Sequence, residues 1–141
     1  MKNLPFFIFI SFLQSCSFDS FDQQIEYRID PLLKPYVDQF YKEAEARGIE
    51  LQRVNLIVKT STNIGSKYGL SESINGQKVV SINSYLIEGN DLRLQIIIFH
   101  ELGHSLLNRH HFDDVKSIMN TSPCSTCFDK QYLDELFTLH R

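Results

Sequence analysis

The stretch "DLRLQIIIFHELGHSLLNRHH", residues 91–111, decides how this chain is read. Asn90 or Asp91 can cap a helix at its start, and the pattern continues to Leu107. The run Ile96–Phe99 is apolar nearly all the way round, so this helix is expected to be buried against a sheet. His100 and His104 are four apart and project from the same side, about one turn from each other. That spacing suits two nitrogen ligands of a tetrahedral zinc ion. Glu101 is turned by about 100° from His100, near enough to reach a water on such a metal without being a ligand. Two histidines and a glutamate inside an apolar helix need partners that offset their desolvation. The plainer alternative is a pair of core histidines bonded to backbone carbonyls, with the glutamate reaching solvent. His-Glu-x-x-His arises by chance in a chain of this length only about once in a few hundred, which favours zinc.

Two ligands do not make a stable site, so a third is required, with water completing the shell. Here the sequence resembles the metzincin clan of zinc metallopeptidases, whose motif is H-E-x-x-H-x-x-G-x-x-H followed by a turn containing Met. "HELGH" (100–104) matches the first half, and "SIMN" (117–120) looks like the Met-turn, with Met119 as the apolar floor beneath the metal. The resemblance covers about twenty residues and implies zinc, a zincin-like fold and peptide-bond hydrolysis with Glu101 as general base. One departure matters. Counting from His104, the family's Gly falls on Leu107 and its third His on His110. Leu disfavours the left-handed backbone that lets a helix stop and reverse, whereas Asn108 tolerates it. A reversal at Asn108 carries the third ligand to His111, which is therefore placed ahead of His110. The same pattern looks like that of small exported bacterial proteins of metalloprotease type. Asp113 and Asp114 could orient a ligand imidazole or simply be solvated. Thr121 stands where some metzincins have a metal-reaching Tyr. In the family an extended substrate pairs with an edge strand, and "VVSINS" (79–84) is expected to be that strand or its neighbour.

Working outward, "MKNLPFFIFISFLQSC" (1–16) has Lys2, an apolar run from Leu4 to Leu13, and a polar end at Cys16. Ten or so apolar residues span about 15 Å as a helix, half of a bilayer core, so the segment reads as a signal peptide over 1–15. "LQSC" resembles the lipobox of bacterial lipoproteins, which implies lipidation of Cys16, a membrane-anchored chain in the bacterial cell envelope, and a tether over 16–29. A plain secretory signal or a buried apolar N-terminus is the alternative.

The expected domain, 30–141, has α+β organisation: a compact zincin-like unit with a small mixed sheet packed on an N-terminal helix and the buried active-site helix. Leu33, Tyr36, Val37, Phe40, Tyr41 and Ala44 have the spacing of an amphipathic helix that Gly48 stops. "RVNLIVKTS" and "QKVVSINS" read as strands, the second entered through the turn in "SINGQ", with a further strand near Lys67 to Leu70. "FDKQYLDELFTLH" reads as a closing helix through Tyr132, Leu133, Leu136, Phe137 and Leu139.

Cys124 and Cys127 form a Cys-x-x-Cys pair, which in an exported chain points to a disulfide; redox chemistry lacks a βαβ context here, and a second zinc site needs further ligands such as His140. Two other functions stay open. In gluzincin-like peptidases, whose "HELGH" helix looks similar, a later Glu is the third ligand, and Glu135 is placed to serve. Alternatively, the chain binds zinc or a partner protein without turnover. The composition, 43% hydrophobic and 22% charged over 141 residues, is that of one ordinary globular domain. A net charge of −3 provides no basic field, so nucleic acid is not expected as a partner; the metzincin resemblance implies a protein or peptide substrate.

Overall fold

The computed structural model describes residues 26–113, 116–122 and 124–138. The expected signal peptide, Cys16, Asp114, Leu139 and His140 lie outside the described residues. The chain runs β1 (Tyr27–Ile29), α1 (Lys34–Glu45), β2 (Leu56–Ser61), β3 (Gly69–Ile74), β4 (Gln77–Asn83), α2 (Asp91–Leu107) and α3 (Lys130–Phe137). This is the α+β class expected, with helix, sheet and helix in that order. β1 is an addition: Tyr27–Ile29, which fall within the stretch 16–29 read as a tether, pair in parallel with Leu56–Val58.

The sheet has the order β1-β2-β4-β3. β1, β2 and β4 are parallel, and β3 runs antiparallel to β4. A parallel pair needs a crossover, and α1 supplies it between β1 and β2. Between β2 and β4 the crossover is replaced by the β3–β4 hairpin. Its two turn residues, Asn75 and Gly76, have φ of 51° and 81°, the pattern of the tight turn whose twist matches paired strands. β4 is thus interior, with Val79 to Asn83 all buried, and β3 is the edge strand on its side of the sheet, as β1 is on the other. "VVSINS" is the edge strand's neighbour.

Helix α1 buries Val37, Phe40, Tyr41 and Ala44, the stripe its spacing predicts, and has Pro in its first turn, where the lost N–H has no helical partner to miss. Phe40 meets Phe99 of α2 edge-on at 5.1 Å and Phe137 of α3 at 5.0 Å, so the three helices share one aromatic centre. Each such pair adds about 0.5–1.5 kcal/mol beyond burial alone. Arg47 fastens α1 to α3 by donating to Glu43 at 2.6 Å and to Asp134 at 2.9 Å. Helix α2 lies against β3 and β4, so its middle is closed off from water while one face looks toward the sheet's open edge. No helix among the described residues is long and apolar enough to cross a membrane.

Candidate metal centre

Asn90 caps α2 as expected, its side chain accepting from the Arg93 N–H. The helix ends on Asn108, whose φ of 53° and ψ of 37° are left-handed, the conformation Asn tolerates better than Leu. The Arg109 N–H then bonds the Gly103 carbonyl at 3.0 Å, and the chain turns back along the helix. This reversal brings His111 to the two helical histidines. The three Nε2 atoms form a triangle with sides of 3.1, 3.1 and 3.0 Å. His110, the alternative third ligand, is exposed and outside that group.

The other ring nitrogens explain why the triangle is aimed inward. His100 Nδ1 lies 2.7 Å from the Ile118 carbonyl, and His104 Nδ1 lies 2.6 Å from the Arg109 carbonyl. A carbonyl can only accept, so each Nδ1 carries the proton and each Nε2 presents a bare lone pair. The backbone partners foreseen for core histidines are therefore present, yet they serve a convergent site. Lone pairs about 3 Å apart repel unless a cation lies among them. A tetrahedral zinc with Zn–N of 2.0–2.1 Å separates its nitrogens by about 3.3 Å, close to what is observed. His100, His104 and His111 lie close enough together to hold a metal ion, and they are the one such group of His, Cys, Asp or Glu among the described residues. Imidazole donors fit zinc as well as copper, iron or nickel.

Glu135, the third ligand in the gluzincin alternative, is not in this group; its carboxylate accepts from the Ser117 hydroxyl at 2.5 Å. Asp113 does not orient His100 or His104 either, because their Nδ1 atoms meet the Ile118 and Arg109 carbonyls; its carboxylate accepts from the Thr121 N–H and hydroxyl.

Glu101 follows His100 on α2 and is only 7% exposed. It lines the same cleft as the three histidines, a space of about 1060 Å³ that extends along β3 past Lys67, Leu70 and Glu72. Burial pushes its pKa up to about 7, against a partial offset from the Lys67 charge. Burial likewise pulls His100 down to about 4, with the Ile118 bond opposing and the neighbouring histidines adding. His104 is lowered too, by burial first.

These shifts make a prediction for the metal-free chain. Glu101 keeps a proton in the folded state that the unfolded chain releases between about pH 4.5 and 7. Its contribution to stability therefore falls as pH rises through that window. Unfolding measured in chelator should show Glu101→Gln gaining on wild type by roughly 3 kcal/mol across the same range. Parallel pH profiles for the two proteins would refute the shift.

Beneath the histidines, Ile118 and Met119 form the expected turn, and Met119 is fully buried. A Cβ on Gly103 would lie 2.7 Å from Met119 Sδ and 3.0 Å from Leu136, so the glycine of "HELGH" is what admits the floor. The Phe112 N–H donates to the Met119 carbonyl at 3.0 Å, joining the His111 loop to that floor. Cys124 and Cys127 are bonded to each other between the turn and α3, with Cys127 fully buried.

Three tertiary contacts escaped sequence reading. Gly69 of β3 abuts Glu101, where a Cβ would come within 2.6 Å of the Glu101 Cγ. Ser117 is buried between the Met119 N–H and Glu135. Arg109 is buried and reaches the carbonyls of Glu135 and Thr138. No family model, curated protein or solved structure matches the chain.

Proposed function

We propose that the chain is a zinc-dependent endopeptidase of metzincin type, with His100, His104 and His111 as the ligands and Glu101 as general acid and base. The observation that carries this is the convergence of three histidine Nε2 atoms in one cleft with a buried carboxylate. Binding alone does not need that carboxylate. A bound zinc ion lowers the pKa of water and polarises a carbonyl. Glu101 takes a proton from the attacking water on its carboxylate and returns it to the leaving amine. In the metal-free cleft burial raises its pKa to about 7, and the charge of a bound cation would oppose that shift and favour the carboxylate that accepts the proton. An extended peptide would add alongside β3, whose outer backbone groups are not used by the sheet. The open run of the cleft along that edge favours cleavage within a chain over trimming of its ends.

The site's place in the cell is proposed with it: export to the bacterial envelope and anchoring through a lipid on Cys16. The Cys124–Cys127 bond fits an oxidising compartment.

The test is zinc content and turnover on the same preparation. We expect one zinc ion per chain, hydrolysis of an unfolded protein, loss of hydrolysis with 1,10-phenanthroline, and recovery when zinc is returned. Zinc without hydrolysis would identify a binding lipoprotein instead, and a chain without zinc would overturn both.

Gly69 gives a sharper expectation. Gly69→Ala drives a methyl into the Glu101 side chain, which sits 2.6–2.9 Å from the Cβ position at three atoms. Displacing a reacting group by about 1 Å costs about 10²-fold in rate, so hydrolysis should fall by that order with zinc content unchanged. Wild-type turnover in this variant would separate Glu101 from the chemistry.

A further inference from the structure

Two backbone carbonyls fix the ring orientation of His100 and His104, and neither belongs to the helix that carries those histidines. Ile118 contributes one and Arg109 the other. Glu135 of α3 is a hydrogen-bond partner of both segments that carry them. The Ser117 hydroxyl donates to the Glu135 carboxylate at 2.5 Å while accepting from the Met119 N–H at 3.0 Å. That closes the turn around Ile118, with the Asn120 N–H on the Ser117 carbonyl at 3.3 Å. On the other side, the Arg109 guanidinium donates to the Glu135 carbonyl at 3.1 Å and to the Thr138 carbonyl at 2.9 Å. These are among the last carbonyls of α3, where a cation is also favoured by the helix dipole. Arg109 and Ser117 are both buried, so their bonds are shielded from water.

We propose that Glu135 is the positioning residue of the histidine centre, clamping with its carboxylate and its carbonyl the two segments whose carbonyls set the Nδ1–H tautomers of His100 and His104. It acts at one remove, touching neither the metal position nor a substrate. The inference rests on the reading of the three histidines as a metal site. Partners that orient ligand imidazoles typically govern about 10–100-fold in metal affinity. α3 then has a purpose beyond covering the core: the end of the chain tunes a site built near its middle.

The experiment uses the full chain and two independent readouts. Zinc affinity is measured by competition with a chromophoric chelator for Glu135→Ala, Glu135→Gln, Ser117→Ala and, as a control on the exposed side of the same helix, Gln131→Ala. The histidine tautomers are read in the metal-free chain by long-range ¹⁵N–¹H correlation NMR. We expect Glu135→Ala and Ser117→Ala to weaken zinc by about 10–100-fold. Glu135→Gln, which keeps an acceptor for Ser117, should stay close to wild type, as should Gln131→Ala. His100 should change from a pure Nδ1–H tautomer to a mixture in the first two variants. Folded Glu135→Ala and Ser117→Ala chains with wild-type affinity and unchanged tautomers would overturn the proposal. If Glu135→Ala does not fold, the smaller Ser117→Ala change decides the matter alone. A wild-type chain that binds no zinc would end the metal reading, while the tautomers would still decide whether Glu135 positions the rings.

Discussion

Replacing Glu101 by Gln is expected to leave zinc in place and slow peptide hydrolysis by about 10²–10⁴-fold. The amide has nearly the shape of the carboxyl, so the buried position beside Gly69 stays filled and the histidine triangle is undisturbed. What it loses is a site for a proton. The loss should appear in kcat and kcat/KM together if, as proposed, the group acts in the reaction and contributes little to holding a substrate. The same substitution relieves a buried acid of its charge, so the metal-free variant is expected to be the more stable protein above neutral pH. Lower activity joined to higher stability is hard to obtain from a merely damaged fold. A variant that loses zinc along with activity would instead make Glu101 part of the metal's support.

The second large effect separates adjacent histidines. His111→Ala is expected to weaken zinc by roughly 10²–10³-fold, the share of one ligand in an apparent binding free energy of about 10–16 kcal/mol spread over four. His110→Ala should leave affinity within a few-fold of wild type, since its side chain is exposed and outside the triangle. Unfolding gives an independent check. Zinc at 100 to 1,000 times its dissociation constant adds about 2.7–4.1 kcal/mol to a chain that binds it only when folded. That increment should be nearly gone in His111→Ala and intact in His110→Ala. The reverse pattern would return the third ligand to the spacing of the family motif.

Much of this was legible in the residues. The histidine register followed from Asn108 because backbone handedness is a local property, decided by one residue's side chain. Helix α1 was legible for a similar reason: its apolar stripe repeats over three turns. β1 was not, since three residues are too few to display alternation, and Tyr27–Ile29 is a strand only because β2 offers it an edge. β3 was expected near Lys67 to Leu70 and lies at Gly69–Ile74. Its "GLSESI" has weak strand propensity, and the Asn75–Gly76 turn sets its register by pairing Ile74 with Gln77. The contact of Gly69 with Glu101 and the reach of Ser117 and Arg109 to α3 join residues far apart in sequence. No period or propensity encodes such meetings. Glu135 shows the limit well: its type and place drew it toward the metal, and only tertiary packing turns its carboxylate to Ser117.

The unpaired edge of β3 has a further consequence, for crowding. An edge able to receive one extended strand is open in principle to another copy of the same protein, and an envelope surface would concentrate copies in two dimensions. Here the strand is six residues long, exposes Glu72 and Ser73, and has Ile74 as its one well-exposed large apolar residue. Short length and an outward charge are the features by which sheet proteins avoid sticking edge to edge. Two copies would gain little apolar contact from pairing, so this edge resists self-association better than a longer, more apolar strand would.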